Sequence, residues 1–348
     1  MTAFINTIGT AVPDQDIHQA FIGWARSQLR TPRDAKLFDR MAQRSGIAHR
    51  WSVLPEENGS PIDPGGFYAD AWPTTAARMA VYEQAAPMLA AKAVSALAAK
   101  TSLKDVTHLV LASCTGFTAP GIDQILARQI GLAPSVERLL VGYMGCYAAV
   151  AALRSARHIV RSEPDARVLV ICVELSTLHL QANDELEPLL AMLQFGDGAA
   201  AALVTSEPRG LAINQPFSRE LPDSGALIRW KLGDHGFAMH LSGEVPAAIG
   251  AALTSSATLP VDPHTVDCWA VHAGGRSILD AVAHALDLSE DALDDSRAVL
   301  DAYGNMSSAT LMFVLARILA GPPPKLGLAL AFGPGLAAEG FLFEGAQP

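Results

Sequence analysis

The chain has 348 residues, of which 50% are hydrophobic, with 35 acidic and 25 basic side chains and a formal net charge of -10. This length and hydrophobic content suffice for one large or two medium domains with a buried core. The negative charge argues against a general affinity for nucleic acid or for an anionic membrane surface. An anionic ligand therefore needs a local cluster of basic side chains.

The cysteines and the amino terminus predict a cytoplasmic protein. The chain has four cysteines: Cys114, Cys146, Cys172 and Cys268. They are few for this length and lack paired metal-ligand spacing, so we expect reduced thiols and no metal. The amino terminus has no basic segment before Pro13, which predicts neither a signal peptide nor a transit peptide. The uncharged stretch at 139–153 has 15 residues, fewer than the roughly 20 that span a membrane.

Short hydrophobic runs alternate with helix-like stretches, a pattern typical of layered α/β proteins. In chain order the predicted elements are a long buried helix or a kinked pair of helices at 76–100, a strand at 108–113, a helix at 121–131, a strand at 137–143, a helix at 146–162, and strands at 167–174 and 267–273, then helices at 274–286 and 307–320, and strands at 326–332 and 339–344. The second group repeats the scheme of the first. We therefore predict two similar halves, 1–206 and 207–348, that meet near residues 206–210.

Cys146 lies where a predicted strand ends, at Gly142 or Gly145, and an alanine-rich helix begins. The unpaired N–H groups and the dipole at a helix amino terminus favour the thiolate, the form that attacks carbonyl groups. The position therefore predicts a lowered pKa for Cys146 and a nucleophilic role. The alternative is a small buried cysteine that only fills the core.

His272 and Asn305 lie at similar junctions in the second half. His272 follows a hydrophobic run and precedes Gly274, Gly275 and a predicted helix, and Asn305 stands just before another predicted helix. Each alone is equally consistent with a core histidine or with a helix-capping asparagine. We expect a helix and a strand between them, which would bring both to one end of the sheet.

A thiol, an imidazole and an amide at such junctions can converge on one pocket. Cys146 can hold an acyl group as a thioester. N–H donors of His272 and Asn305 can bind the enolate oxygen that forms when a malonyl thioester loses carbon dioxide. Together the three residues predict an enzyme that joins acyl units carried as thioesters.

A basic helix face is a second candidate site. Lys36, Arg40 and Arg44 are spaced i, i+4, i+8, which places three cations on one side of a predicted helix. The cluster suits a phosphate group. The alternative is a solvated charged surface without a ligand.

Five motifs show that the chain resembles the type III polyketide synthases, the chalcone and stilbene synthase family, and the sequence CTGF at 114–117 resembles that of bacterial members. In chain order they are GCYAA (145–149), FGDGAAAA (195–202), VHAGGRSILD (271–280), YGNMSSAT (303–310) and AFGPGLAAEG (331–340). The likeness runs from about residue 3 to 344, and GNMSSA and FGPG are its most specific parts.

The resemblance implies a thiolase-like, layered αβαβα fold made of two similar halves. It implies that Cys146, His272 and Asn305 form the catalytic triad and that Phe195 is the gatekeeper between a CoA tunnel and the cavity. The implied reaction loads an acyl-CoA starter on Cys146, extends it by decarboxylative Claisen condensation with malonyl-CoA, and cyclises it to an aromatic or pyrone product. The substrates are coenzyme A thioesters, no metal or redox cofactor is needed, and a homodimer is implied.

The resemblance also assigns residues around the triad. Arg40 and Arg44 match basic positions of the family's CoA-binding segment, and Lys36 is displaced by one. The implied cavity positions are Cys114, Ala119, Ser176, His179, Met239 and Ser307. Ala119 stands where plant members carry a methionine that crosses the dimer interface, and Met239 matches their second gatekeeper phenylalanine. These departures argue against a flavonoid-type product.

Three other functions agree with part of the sequence. A single-condensation enzyme like ketoacyl-ACP synthase III or HMG-CoA synthase would use the same triad, but YGNMSSA and FGPG argue against it. A papain-like hydrolase has the same residue order, but its cysteine lies near the mature amino terminus in another motif. A catalytically silent binding protein is disfavoured by the intact triad and basic face. The starter, the number of extensions and the mode of cyclisation stay open.

Overall fold

The computed structural model describes residues 1–55, 60–69, 71–255 and 258–346. The strands are β1 (Phe4–Ala11), β2 (Gln15–Asp16), β3 (Trp51–Ser52), β4 (His108–Ser113), β5 (Glu137–Gly142), β6 (Val168–Leu175), β7 (Asp197–Thr205), β8 (Leu211–Glu220), β9 (Ile228–Gly233), β10 (Gly236–Leu241), β11 (Cys268–Val271), β12 (Gly327–Phe332) and β13 (Ala337–Gly345). The helices are α1 (His18–Gln28), α2 (Pro32–Gln43), α3 (Thr75–Ala98), α4 (Ile122–Gln129), α5 (Ala148–Ser162), α6 (Leu186–Met192), α7 (Val245–Leu253), α8 (Arg276–Ala285), α9 (Asp294–Tyr303) and α10 (Ser308–Ala320). Short 3₁₀ turns lie at Gly145–Tyr147, Ser176–His179 and Pro263–Thr265.

Nine of the strands in the described chain form one sheet in the order β11-β12-β13-β8-β1-β7-β6-β4-β5. On one side of the sheet, β1 pairs with β7 and β7 pairs with β6, both antiparallel. Next, β6 pairs with β4 and β4 pairs with β5, both parallel. On the other side, β8 pairs with β13 and β13 pairs with β12, both antiparallel, and β12 pairs with β11 in parallel. The sheet therefore consists of two similar halves, and the first half has one more strand.

Helices and half-sheets alternate in five layers. α5 and α10 pack against each other and against strands of both halves, and one hydrophobic cluster joins them to both half-sheets. α3 and α4 cover the outer face of the first half, and α7, α8 and α9 cover the outer face of the second. The predicted layered αβαβα arrangement is confirmed.

The composition of the two central helices explains their burial. Nine of the 13 residues of α10 are buried, on all sides of the helix, as expected for a helix that is hydrophobic all round. α5 buries five alanines, whose small side chains let the half-sheet approach closely. No helix among the residues described is long and hydrophobic enough to cross a lipid bilayer.

Most predicted elements are confirmed to within two or three residues, but the prediction between His272 and Asn305 is wrong. That segment contains the two helices α8 and α9 and no strand. Asp294 and Asp295 lie in the first turn of α9, where acidic side chains stabilise a helix, and Ser296, Val299 and Leu300 are buried at helical spacing. Asn305 consequently follows a helix and not a strand.

Close packing of β1 on α3 predicts opposite effects for two glycine substitutions. A methyl group on Gly9 would lie 2.2 Å from Leu97 N and 2.5 Å from Ala93 O, both backbone atoms, whereas nothing lies within 4 Å of one on Gly23 in α1. Gly9→Ala should lower the free energy of unfolding by about 2 kcal/mol through overpacking. Gly23→Ala should raise it by about 1 kcal/mol through helix propensity. Urea unfolding measures both, and equal stability of the two variants would contradict the tight contact.

Candidate active site

A cavity of about 270 Å³ lies mainly among residues of the first half of the chain, beneath the β9–β10 hairpin of the second half. Seven side chains that the sequence predicts for the site line it: Cys114, Cys146, Ser176, His179, Phe195, Met239 and Ser307. Most of the remaining wall is hydrophobic, with Phe21, Leu54, Tyr68, Trp230 and Phe237 among its residues. The cavity therefore suits a largely apolar ligand that reaches the Cys146 thiol.

A tight turn presents Cys146 to this cavity. Gly145 has φ +75°, which a side chain disfavours, and a methyl group there would lie 2.5 Å from Pro334 Cδ and 2.7 Å from Trp230 Cη2. Pro334 belongs to the FGPG motif. Glycine is therefore required at position 145 both for its backbone conformation and for the contact with Pro334 and Trp230.

The predicted low pKa of Cys146 is wrong. Burial raises the pKa of the thiol to about 11, although hydrogen bonds from the Ser307 and Asn305 side chains oppose the rise. Cys146 lies in the 3₁₀ turn that precedes α5, and only part of its surface is accessible. The loss of water outweighs the favourable position before a helix.

Asn305 and Ser307 are held against Cys146 by a strained backbone. Ser307 has φ +48°, a conformation that costs energy for a residue with a side chain. Its N–H donates to Asn305 Oδ1 at 2.8 Å, and Asn305 Nδ2 donates to the Gly274 carbonyl at 3.2 Å. This network orients the amide of Asn305 and connects it to the loop that follows His272.

His272 is buried, with 2% of its surface exposed, at the end of β11. Neither ring nitrogen has a hydrogen-bond partner among the residues that the structure describes. Burial lowers the pKa of the imidazole to about 3, so the ring is neutral near pH 7. A methyl group on Gly274 would lie 3.5 Å from His272 Nε2, which places the imidazole beside the carbonyl that Asn305 binds. A neutral imidazole without a partner can donate one hydrogen bond and accept another.

The backbone of Phe195 connects the two halves at the cavity. Phe195 forms a β-bridge with Asn305, and the flanking bonds run from Asn305 N–H to Gln194 O at 2.8 Å and from Gly196 N–H to Asn305 O at 3.0 Å. The buried Arg50 donates through Nη1 to the Phe195 carbonyl at 2.9 Å. The position of the Phe195 ring is therefore coupled to that of Asn305.

A buried carboxyl group lies behind Cys114. Glu174 accepts hydrogen bonds from Cys114 N at 3.0 Å, Thr115 Oγ1 at 2.8 Å and Ser308 Oγ at 2.5 Å, and from Cys114 Sγ at 3.2 Å. Burial raises the pKa of Glu174, and burial together with Glu174 raises that of Cys114. Cys114 Sγ also lies 3.3 Å from Ser307 Oγ. Cys114 is therefore a neutral hydrogen-bonding side chain of the wall.

The β9–β10 hairpin closes the cavity, and its pairing places Trp230 opposite Met239. His179 fastens the hairpin: its ring stacks on Phe237 with centroids 4.1 Å apart, and Nδ1 accepts from Phe237 N–H at 3.2 Å. Nε2 therefore donates to the Thr115 carbonyl, at 2.6 Å. Burial lowers the pKa of His179 to about 4, so the ring stays neutral.

Trp230 is a cavity residue that the sequence analysis missed. The glycines that flank Asp234 and His235 are the signal that could have revealed it, because they indicate a two-residue hairpin turn. Pairing outward from that turn puts position 230 opposite Met239.

Ala119 does not line the cavity, in contrast to its predicted position. Only the first residues of its loop, Cys114 and Thr115, reach the cavity, because the loop then runs outward to the start of α4 and leaves Ala119 exposed. Ser176 lies at the start of the 3₁₀ turn after β6 and contributes to the wall.

The basic face predicted near the amino terminus is present on α2. Lys36 and Arg40 lie within the helix, Arg44 caps its carboxyl end, and all three are exposed. In the described part of the chain none of them forms an ion pair within 4.0 Å. No group of three or more His, Cys, Asp and Glu side chains among the described residues is placed to bind a metal ion.

Family models for the chalcone and stilbene synthases match nearly the whole chain. The N-terminal domain model matches residues 1–208, and the C-terminal domain model matches residues 213–347. The alpha-pyrone synthesis polyketide synthase-like Pks18 of Mycobacterium tuberculosis is 32% identical over 280 residues, which are 76% of this chain and 71% of that protein.

Two solved structures share the fold. PKS-I from the brown alga Ectocarpus siliculosus superposes with a TM-score of 0.88 at 29% identity, covering 99% of this chain and 98% of that one. The C-terminal type III polyketide synthase domain of Steely1 from Dictyostelium superposes with a TM-score of 0.86 at 26% identity and covers 100% of both chains. The chain belongs to the chalcone and stilbene synthase family and is a type III polyketide synthase.

Proposed function

We propose that this polyketide synthase loads an acyl-CoA starter on Cys146 and extends it with malonyl-CoA before cyclisation. The observation that carries the proposal is the hydrogen bonding of Asn305 and Ser307 to a thiol in the wall of a largely apolar cavity. The Mycobacterium tuberculosis relative is named for alpha-pyrone synthesis, which supports a pyrone or a related aromatic product here.

Loading requires a base, because burial favours a neutral thiol and a neutral imidazole. We assign this role to His272, whose ring nitrogens are unpartnered in the described chain. The imidazole takes the thiol proton, and the thiolate attacks the carbonyl carbon of the acyl-CoA. The tetrahedral intermediate collapses, the bond to the CoA sulfur breaks, and His272 returns the proton to that sulfur.

Extension uses His272 and Asn305 as hydrogen-bond donors. When malonyl-CoA loses carbon dioxide, the electron pair of the breaking C–C bond forms an enolate, and N–H groups of both residues stabilise its oxygen. The enolate carbon attacks the acyl carbonyl on Cys146, a new C–C bond forms, and the Cys146 thiolate leaves. The product is a β-ketoacyl-CoA, which can load on Cys146 again.

The CoA phosphates and the growing acyl chain are assigned to different surfaces of the molecule. Lys36, Arg40 and Arg44 would bind the phosphate groups of the CoA thioester through charge-assisted contacts. Phe195, which is fixed through its backbone to Asn305, would separate the CoA arm from the cavity. The linear intermediate would then extend along the hydrophobic wall below Trp230 and Met239.

We also propose a homodimer formed through β5. This edge strand exposes Leu139 and Leu140 at 44% and 47%, and the neighbouring loops expose Tyr143 at 55% and Phe117 at 65%. An unpaired sheet edge with an apolar surface favours association with another chain.

Removal of the Cys146 thiol should abolish product formation. The wild-type protein, given a panel of acyl-CoAs with malonyl-CoA, should release pyrones, resorcinols or related products that mass spectrometry detects. Cys146→Ala should lower the rate by about a thousandfold or more, because no other group can hold the acyl chain. Cys268→Ser, on β11 outside the cavity, is the control and should retain activity. A single β-ketoacyl product made only from malonyl-ACP would instead identify a single-condensation enzyme.

Asn305→Ala should separate loading from extension. The substitution removes the Nδ2 donor, so release of labelled carbon dioxide from malonyl-CoA should fall by about a hundredfold, as for loss of one oxyanion donor. Transfer of a labelled starter to Cys146 should change by less than about threefold, because one weak hydrogen bond to the thiol is lost. Equal losses in both steps would assign Asn305 to thiol positioning and not to the enolate.

Trp230→Ala should change the size of the products. The substitution removes the indole that lies against Gly145, which enlarges the cavity beside Cys146. We expect longer polyketides or larger starters, measured as a shift in the product mass distribution. Leu232→Ala is the control, because Leu232 lies on the same strand, is 70% exposed and does not line the cavity. An identical shift for both variants would show that the hairpin as a whole, and not the indole, limits the cavity.

A further inference from the structure

Arg276 connects the reaction site to the basic face on α2. It is the first residue of α8 and follows Gly274 and Gly275 directly. Its Nη1 donates to the Arg44 carbonyl at 3.4 Å, and its Cδ and Cβ lie 3.7 Å and 3.8 Å from a methyl group placed on Gly46. The side chain therefore packs on the turn that ends α2.

The guanidinium of Arg276 is available to a ligand. Its side chain is 53% exposed, and its one ion-pair partner in the described chain, Asp280 Oδ2, is 3.5 Å away. Asp280 has a closer partner, because Arg297 Nη1 lies 2.8 Å from Oδ1. Asp280 is therefore shared by two arginines, and the group of three side chains keeps a net positive charge.

Arg276 adds a fourth cation to Lys36, Arg40 and Arg44, which have no ion-pair partner in the described part of the chain. Neighbouring cations repel one another, and an anion bound between them offsets this repulsion. This cluster occurs in a chain whose formal charge is -10, so it is a local exception to the overall charge. Such a concentration of exposed arginine and lysine side chains suits a ligand with several phosphate groups.

The position of Arg276 relative to the reaction site indicates which phosphate group of a CoA thioester it would contact. Asn305 Nδ2 binds the carbonyl of Gly274, two residues before Arg276, and His272 lies two residues before that. Leading away from the reaction site, the cations therefore follow in the order Arg276, Arg44, Arg40 and Lys36. In a CoA thioester, the 5′-diphosphate lies between the pantetheine arm and the adenosine with its 3′-phosphate.

We propose that Arg276 binds the 5′-diphosphate of the CoA thioester, while the basic residues of α2 lie toward the 3′-phosphate. The inference rests on the proposed use of CoA thioesters. It adds a binding residue from the second half of the chain, so that the CoA site spans both halves.

Calorimetric titration with three probes tests this assignment. CoA carries both phosphate groups, dephospho-CoA lacks the 3′-phosphate, and pantetheine lacks every phosphate. Arg276→Ala should weaken the binding of CoA and of dephospho-CoA by the same factor, about tenfold, because one charged contact is lost from each. Binding of pantetheine should not change.

Arg317→Ala is the matched control. Arg317 is 51% exposed and pairs with an aspartate on a neighbouring helix, but it lies on α10, away from α2. It should bind CoA as the wild-type protein does, and equal melting temperatures of both variants would show that each is folded.

Three results would overturn the inference. Unchanged CoA affinity in Arg276→Ala would show that Arg276 contacts no phosphate. A loss for CoA without a loss for dephospho-CoA would assign Arg276 to the 3′-phosphate. Wild-type protein that binds none of the three probes would contradict the proposed function itself, and the inference with it.

Discussion

The packing of α5 and α10 between the two half-sheets is the constraint on which the site depends. Cys146 lies two residues before α5, and Ser307 lies directly before α10. Because both helices belong to one buried cluster, their amino-terminal ends are fixed relative to each other. This common layer brings the thiol from the first half to the amide and hydroxyl from the second half.

The same burial determines the electrostatics of the site. It raises the pKa of Cys146 to about 11 and lowers that of His272 to about 3, so the site holds a neutral thiol and a neutral imidazole. Charge then develops only during the reaction, in surroundings where fixed N–H donors act strongly because little water competes. The strained backbone at Ser307 is consistent with such an arrangement, since strain of this kind persists where surrounding structure enforces it.

Local patterns predicted α/β layers in two similar halves and most of the elements, whereas the resemblance to the family implied the αβαβα arrangement and the residues of the cavity wall. Hydrophobic runs identified β4 to the residue, and the motifs around Cys146 and Asn305 located two turns that the structure brings together. Features that depend on distant neighbours could not be predicted in this way. Arg276 contacts Arg44, 232 residues earlier, and Trp230 reaches the cavity through the register of a hairpin.

The errors have different origins. A helix start favours a thiolate locally, but the pKa of Cys146 is dominated by tertiary burial that the local sequence does not express. The stretch that contains α9 was interpreted as containing a strand, although acidic residues at its start and buried residues at helical spacing indicate a helix. Ala119 was placed in the cavity, but its loop turns to the surface.

Peptide mapping by mass spectrometry tests the central claim, that Cys146 carries the acyl chain, most directly. The wild-type protein would be incubated with one medium-chain acyl-CoA, without malonyl-CoA, and digested at mildly acidic pH to preserve thioesters. The account predicts an acyl thioester on the peptide that contains Cys146. The absence of an adduct there, or an adduct on Cys114 in the same cavity, would contradict it.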